Sequence, residues 1–159
     1  MNPLVPLLRD DEIVLDADVH DREALFRMAA DLIAARNGLH GQEVYQALME
    51  RERLGSTAVG HGIAIPHARM PRIAHPASAY VRTRGPLAFG APDGKPVSQF
   101  LFLLVPADAN ERHLQLMAAA AAALSDPDVR SGLASCRRVE EVRRIMSGWD
   151  EPDAPIRAS

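Results

Sequence analysis

The sequence predicts a single α/β domain, on the strength of two apolar patterns and their order along the chain. Between Asp21 and Asn37 the apolar residues recur at i, i+3, i+4, i+7 and i+8, which is the stripe of an amphipathic helix. Between Pro96 and Pro106 lies a near-continuous apolar run, typical of a central strand buried on both faces. Patterns of the two kinds alternate along the chain, and such interleaving indicates an α/β fold.

The predicted strands are short apolar or alternating segments at residues 13–15, 63–65, 78–84 and 97–105. Gly85 and Pro86 are expected to end the third of these strands, because glycine and proline interrupt regular structure. Residues 68–76 contain Pro71 and Pro76 and are expected to form a loop.

Helices are predicted at residues 21–37, 41–53, 127–135 and 139–146, with a further long helix that runs through residue 124. Asn37 and Gly38 have the composition of a helix end. Asp108 or Asn110 is the expected N-cap of the long helix, because a short polar side chain can accept a hydrogen bond from the first turn.

The packed domain is predicted to span residues 5–148. Residues 1–8 include Pro3 and Pro6 and are expected to be a loosely held lead-in, with apolar side chains that could dock on the core. Residues 149–159 are rich in proline and acidic residues, so this segment is expected to be a disordered tail.

Composition narrows the class of protein. With 159 residues the chain is long enough for one domain with a substantial core. Its net charge of −3 argues against a nucleic-acid partner held by phosphate neutralisation. Because Cys136 is the one cysteine, there is no internal disulfide and no cysteine-based zinc site. The longest apolar run, 117–124, is too short for direct membrane insertion, and no signal-peptide pattern occurs, so a cytoplasmic location is expected.

The segment 51–69 carries the densest set of residues suited to an anion. Three glycines fall within eight residues, and Ser56 and Thr57 lie between the first two of them. Glycine lets backbone N–H groups turn toward a ligand and approach it closely. Arg51 and Arg69 add positive charge on either side.

His67 follows Pro66 within this segment. Proline fixes its own φ and favours an extended conformation before it, so the imidazole is expected on a rigid stem just beyond a short strand. Neutral imidazole is a good nucleophile near pH 7, and its phosphoramidate can pass the group on. Beside hydroxyls and arginines, this histidine is therefore a candidate phosphoryl acceptor.

The run R-E-x-x-G-S-T-x-x-G-x-G-I-A-I-P-H, from Arg51 to His67, resembles the active-site segment of the phosphotransferase-system enzyme IIA family of the fructose/mannitol/nitrogen-regulatory class. The match has no gap over these seventeen positions. A weaker resemblance covers about residues 5–148, through the L-L-V-P-A-D run at 103–108 and the His113-Leu114 pair.

The resemblance implies a mixed parallel and antiparallel sheet flanked by helices on both faces. It implies that His67 is phosphorylated, on Nε2, and that His113 is a second histidine of the active site. It also places Ser56 and Thr57 beside the phosphoryl group as hydroxyl or backbone donors.

The residues themselves leave alternatives open for the supporting groups. Arg51 lies on the apolar stripe of its helix and could be a side chain that extends to water at the helix end, or a guanidinium aimed at a phosphate. His113 could be a packed core histidine, and Ser56 and Thr57 could cap a turn. Glu52 is expected to pair with an arginine and help fix Arg51, unless it is a solvated charge at the helix end.

Other chemistries lack their patterns. The histidine spacing fits neither H-x-H nor H-E-x-x-H, so no metal is expected. The glycine segment lacks the G-K-[ST] of an ATP-binding loop, and no G-x-S-x-G occurs. The phosphoryl group is therefore expected from another protein's phosphohistidine, without a cofactor.

The predicted function is phosphoryl relay by a phosphotransferase that forms a phosphohistidine. The donor would be HPr or its nitrogen-branch counterpart, and the output nitrogen- or potassium-linked regulation through target proteins. One alternative is a sugar-specific IIA that passes the group to a IIB domain for fructose or mannitol uptake. Another is a non-catalytic binding module that has kept the fold.

Overall fold

A computed structural model of the chain describes residues 2–108 and 110–149. In these ranges six strands form one sheet and five α-helices pack against it, after a short 3-10 helix at Asp10–Glu12. The strands are β1 Ile13–Ala17, β2 Ala58–Gly60, β3 Ile63–Ala64, β4 His67–Met70, β5 Ala77–Leu87 and β6 Val97–Pro106. The helices are α1 Arg22–Asn37, α2 Gly41–Arg53, α3 Glu111–Ser125, α4 Pro127–Ser135 and α5 Val139–Ser147.

The sheet is mixed and has β6 at its centre. Its strand order is β1-β5-β6-β3-β2, and β4 also pairs with β6, beyond the end of β3. The β5–β6 and β2–β3 pairs are antiparallel, whereas β1 is parallel to β5 and both β3 and β4 are parallel to β6. The predicted α/β class, the mixed sheet and the central position of β6 are confirmed.

Two apolar cores cover the two faces of the sheet. On one face α1 and α2 pack over the aromatic cluster of Phe26, Phe89, Phe100 and Phe102, whose neighbouring rings lie 5.2–6.3 Å apart. On the other face α3, α4 and α5 pack over the side chains that point the opposite way. The alanines of α3 allow that helix to lie close to the sheet, as Ala119, Ala120 and Ala123 are fully buried.

Short polar side chains and glycine form the helix ends. The Asp21 carboxylate accepts a hydrogen bond from the Ala24 N–H at 2.7 Å and caps α1. Gly38 ends α1 with φ 65°, in the left-handed region that favours glycine. Asn110, the second of the two predicted candidates, is the N-cap of α3.

Two predictions about strands are wrong, and one strand was not predicted. Residues 67–70 form β4 rather than part of a loop, because their backbone pairs with β6 from Leu103 to Pro106. Gly85 and Pro86 do not end β5, which continues to Leu87 after an irregular stretch and pairs again with Val97. Strand β2 was not predicted, since a glycine-rich segment has little strand character of its own.

The N-terminal segment is packed rather than loosely held. The side chains of Leu4, Leu7 and Leu8 are buried in the core beneath α3–α5. The Asn2 Nδ2 group donates to the carbonyl oxygens of Met146 at 2.9 Å and of Trp149 at 2.8 Å, so this segment also closes the end of α5.

Trp149 is buried, and the rest of the predicted tail, 150–159, lies outside the described residues. Nowhere in residues 2–108 and 110–149 is a helix both long enough and apolar enough to cross a membrane.

Candidate active site

An open cavity of about 260 Å³ lies between α3 and the edge of the sheet where β4 joins β6. Of the residues predicted to form the site, Arg51, Ser56, Thr57 and His67 line this cavity together. Its other walls are Ala58, Val59, Ile65, Met117 and Ala121. The structure thus brings together side chains from the end of α2, the glycine-rich segment and the start of β4.

His67 is the first residue of β4 and is half-buried. Its Nδ1 atom lies 2.8 Å from the carbonyl oxygen of Ile65. A carbonyl oxygen can only accept a hydrogen bond, so Nδ1 carries the hydrogen and the neutral ring has its lone pair on Nε2. The backbone two residues earlier therefore selects the nitrogen that is nucleophilic.

The stem that holds His67 is fixed by backbone hydrogen bonds on both sides of Pro66. The Ile65 N–H donates to the Thr57 carbonyl at 3.0 Å, and the Leu103 N–H donates to the Pro66 carbonyl at 2.9 Å. Strands β3 and β4 are therefore two parts of one extended segment along β6, interrupted at Ile65 and Pro66. The imidazole leaves this segment where the chain rejoins β6.

Arg51 lies in the last turn of α2, and its side chain reaches the cavity. Its Nη1 group donates to the Gly55 carbonyl at 2.9 Å. That contact orients a guanidinium that has five N–H donors in all, so donors are left for an anion in the cavity. The guanidinium borders the cavity, and its role toward a phosphate stays a prediction.

The predicted pairing of Glu52 with an arginine is wrong. Glu52 is buried, and its two carboxylate oxygens accept from the Thr57 N–H at 3.0 Å and the Thr57 hydroxyl at 2.7 Å. A buried carboxylate needs such donors, and the turn after α2 supplies them. Glu52 thereby ties the glycine-rich segment to α2 instead of fixing Arg51.

The hydroxyl hydrogens of both predicted donors are used within the protein. Thr57 donates to Glu52, and Ser56 Oγ donates to the Phe89 carbonyl at 2.7 Å while accepting from the Ala58 N–H at 3.1 Å. These bonds shape the loop at the cavity wall. Sequence reasoning did not find the Phe89 carbonyl, because that contact joins segments 33 residues apart.

His113 does not line the cavity, although it lies on α3 one turn before Met117, which does. Its Nδ1 atom accepts a hydrogen bond from the Asn110 N–H at 3.1 Å, within the capping box that starts α3. An accepting Nδ1 is unprotonated, so the neutral ring carries its hydrogen on Nε2. The two histidines are therefore held in opposite tautomers.

Apolar side chains are exposed near the cavity. Leu54 is 85% exposed and Leu114 is 63% exposed, and Val59, on the cavity wall, is exposed as well. Leu54 lies two residues before Ser56, and Leu114 three residues before Met117. In the described part of the chain, no group of three or more His, Cys, Asp or Glu side chains is placed to hold a metal ion.

An imidazole with a free Nε2 lone pair can act as a nucleophile, and the Arg51 guanidinium in the same cavity can stabilise an anion. The family model described as "Phosphoenolpyruvate-dependent sugar phosphotransferase system, EIIA 2" matches residues 6–148. The chain belongs to this family, which transfers phosphoryl groups between proteins.

Several relatives carry a regulatory name. The chain is 30% identical over 145 residues to a nitrogen regulatory protein of Bradyrhizobium diazoefficiens, covering 91% of this chain and 95% of that protein. Its fold matches the crystal structure of nitrogen regulatory protein IIA-Ntr from Neisseria meningitidis with a TM-score of 0.86 and 39% identity, over 90% of this chain and 98% of that one.

Sugar-specific relatives are also similar to the chain. A fructose-specific EIIA component of Haloferax volcanii is 37% identical over 101 residues, which are 64% of this chain and 66% of that protein. The Escherichia coli complex of enzyme IIAMTL with phosphorylated enzyme IIBMTL matches in fold, with a TM-score of 0.76 and 22% identity over 89% of this chain and 98% of that one.

Proposed function

We propose that His67 accepts a phosphoryl group on Nε2 from the phosphohistidine of an HPr-like carrier protein. The hydrogen bond from Nδ1 to the Ile65 carbonyl carries this proposal, because it leaves the Nε2 lone pair directed away from the backbone. That lone pair attacks phosphorus, and the donor P–N bond breaks with its electron pair returning to the donor imidazole. The Nδ1 hydrogen stays on His67, where the carbonyl stabilises the charge of the phosphorylated ring.

Arg51 is proposed to stabilise the phosphoryl oxygens during transfer. Phosphoryl transfer between two nitrogens needs positioning and charge stabilisation more than new covalent chemistry. The guanidinium lines the same cavity as His67 and is oriented by the Gly55 carbonyl. The loop that forms the cavity wall is held in place by hydrogen bonds of Glu52, Ser56 and Thr57. These residues therefore support the site without donating a hydroxyl hydrogen to the phosphoryl group.

The exposed apolar side chains around the cavity support a protein donor. Leu54, Val59 and Leu114 are costly to leave in water and suit the centre of a protein interface. A carrier docked on this surface would exclude water from the transferring group. The expected cytoplasmic location agrees with a donor of this kind.

For the role downstream we propose nitrogen- or potassium-linked regulation through target proteins. The regulatory names of the Bradyrhizobium and Neisseria relatives support it. The second candidate is a sugar-specific IIA that passes the group to a IIB domain, and the Haloferax relative favours it. A non-catalytic module is the weaker alternative, since it would have no need of an oriented Nε2 beside Arg51.

Transfer of radiolabelled phosphoryl groups from phosphoenolpyruvate, through enzyme I and an HPr-like carrier, tests the acceptor. We expect label on the wild-type protein and none on His67→Ala. His75→Ala is the matched control, because His75 is an exposed histidine outside the cavity and should leave labelling unchanged. Continued labelling of His67→Ala would refute the assignment.

The two downstream roles differ in where the label goes next. The labelled protein is mixed with a purified fructose- or mannitol-class IIB domain. A regulatory protein should keep its label, whereas a sugar-specific IIA should lose it to the IIB cysteine within seconds to minutes. Rapid transfer at equal protein concentrations would favour sugar uptake over the regulatory role.

A further inference from the structure

A second cavity, of about 290 Å³, lies on the same face of the sheet at the opposite end of β6. It is lined by Asp16, Arg82, Arg84, Ser98 and Gln99 among others, and by the end of α4. Gln99 precedes Leu103, the β6 partner of His67, by four residues, so these two positions are about 13 Å apart along the strand. Phosphoryl relay uses none of these side chains.

Arg82 is a buried guanidinium held in place on one side. Its Nη1 group donates to the carbonyl oxygens of Cys136 at 2.6 Å and Leu133 at 2.9 Å, at the end of α4. Its Nη2 group donates to Asp16 at 3.2 Å. Asp16 itself has φ 56°, a left-handed conformation that few residues other than glycine adopt. These contacts leave the Nε hydrogen and one Nη2 hydrogen of Arg82 without an acceptor among the described residues.

Gln99 contributes a second donor from a buried position. Gln99 is 6% exposed, and its Oε1 atom accepts from the Tyr80 hydroxyl at 3.0 Å. Burial raises the pKa of Tyr80, so the phenol stays protonated and donates this hydrogen bond to Oε1, and the Nε2 end of the amide points elsewhere. No hydrogen bond among the described residues uses Gln99 Nε2. Among the described residues, every side-chain nitrogen or oxygen that is enclosed by protein has a hydrogen-bond partner. Because Gln99 Nε2 has none, it is not enclosed, and it opens into the cavity that Gln99 lines.

The charges of the cavity indicate which anion it fits. The guanidinium groups of Arg82 and Arg84 face a single carboxylate, that of Asp16, which leaves an excess of one positive charge. A phosphate group carries nearly two negative charges near pH 7, whereas a carboxylate carries one. The volume is at the lower end of the range for small-molecule sites, and an arginine fork matches the two carboxylate oxygens.

We propose that this cavity binds a small organic anion through its carboxylate, which accepts hydrogen bonds from Gln99 Nε2 and the two arginines. The site would be separate from the His67 cavity, and its occupancy does not depend on phosphoryl transfer. Ser98 at the wall adds a hydroxyl that can serve the rest of the ligand.

Titration of the ¹⁵N-labelled full chain with acetate, succinate and L-glutamate, at matched ionic strength, tests the proposal. We expect at least one of them to give saturable shifts in the backbone signals of Asp16, Arg82 and Gln99 and in the Gln99 side-chain amide pair. Inorganic phosphate serves as the anion without a carboxylate. The signals of the segment around His67 should not move.

Two variants and one control make the result specific. Arg84→Gln changes an exposed residue, and we expect it to weaken binding about tenfold or more by removing a charged donor. Gln99→Glu keeps the acceptor for Tyr80 but places a negative charge in the cavity, so binding should be lost. Arg72→Gln removes an exposed arginine elsewhere and should bind as the wild type does. Any one of three results would overturn the proposal. These are the absence of a saturable shift with every carboxylate, binding of phosphate alone, and unchanged binding by Arg84→Gln.

Discussion

At the scale of single residues, the two histidines on this face of the sheet differ in the nitrogen that carries hydrogen. His67 carries its hydrogen on Nδ1, where the Ile65 carbonyl accepts it in a hydrogen bond, and His113 carries its hydrogen on Nε2, because its Nδ1 accepts from the Asn110 N–H. One ring therefore offers a nucleophile and the other a donor. Met117 lines the cavity with His67, whereas His113 lies one helical turn before Met117 and does not. To act as a donor, the His113 ring would have to reach the phosphoryl group across that turn.

We predict that His113→Ala slows phosphorylation of His67 without removing the acceptor, because a donor to the phosphoryl oxygens is lost. Asn110→Ala is the matched control. It removes the side-chain cap of α3, at a cost of about 1 kcal/mol in the free energy of unfolding, but keeps the backbone N–H that orients His113. Rapid-quench labelling measures both rates. Equal rates for His113→Ala and wild type would reduce His113 to a packing role.

We also predict that Glu52→Gln destabilises the protein by about 1–3 kcal/mol, because the amide faces the Thr57 donors with a donor of its own. Labelling of His67 should slow as the cavity wall loosens. Thermal unfolding measures the first effect. Glu50→Gln, at an exposed position of the same helix, should leave the melting temperature nearly unchanged. Equal melting temperatures for the two variants would contradict the structural role of Glu52.

At the scale of elements, the β2–β3 hairpin is held by a loop distant in sequence. One Asp93 carboxylate oxygen accepts from the His61 N–H at 3.0 Å, and the other accepts from the Lys95 N–H at 3.0 Å. His61 is exposed and turns the hairpin with φ 58°. The Asp93 loop thus supports the hairpin that carries Val59 to the cavity.

The two hydrogen bonds to the Asp93 carboxylate predict that the stability of the protein depends on pH. The N–H groups of His61 and then Lys95 lower the pKa of Asp93 below its ordinary value. A lowered pKa in the folded state contributes stability above the unfolded-state pKa, of about 3.9, and that stability is lost as pH falls through the folded pKa. Asp93→Asn should therefore lower the melting temperature at neutral pH and have a smaller effect in acid. A difference that is the same at every pH would exclude this role.

At the scale of the whole molecule, the N-terminal segment is part of the core. Leu4 is 2% exposed although it precedes β1 by nine residues, and Asn2 closes the end of α5. The domain bounds of 5–148 stay a prediction. Leu4 and Trp149 are buried, so the packed structure extends by at least one residue beyond each of these bounds.

We predict that Leu4→Ala lowers the free energy of unfolding by about 2–5 kcal/mol, because it leaves a cavity beneath α3–α5. Val5→Ala is the matched control, since Val5 is 53% exposed and should change stability by less than about 0.5 kcal/mol. Urea unfolding gives both values. Similar effects for the two variants would show that the segment contributes no core packing.

Sequence patterns predicted the features that depend on local chemistry. The stripe of α1, its Gly38 end and the apolar run of β6 each depend on residues close together in the sequence. Strand β4 escaped prediction because its four residues become a strand through pairing with β6. The same reason applies to the site: the grouping of Arg51 with His67 was predicted, whereas the Glu52–Thr57 bonds and the Phe89 carbonyl arise from tertiary contacts.

The central claim is that His67 Nε2 is the phosphoryl acceptor. Long-range ¹H–¹⁵N correlation spectra of the protein with ¹⁵N-labelled histidine, recorded before and after phosphorylation by the phospho-carrier, test it most directly. We predict a neutral His67 with hydrogen on Nδ1 before transfer, and a phosphoryl group on Nε2 with Nδ1 still protonated afterwards. A phosphoryl group on Nδ1 of His67, or on any other residue, would contradict the account.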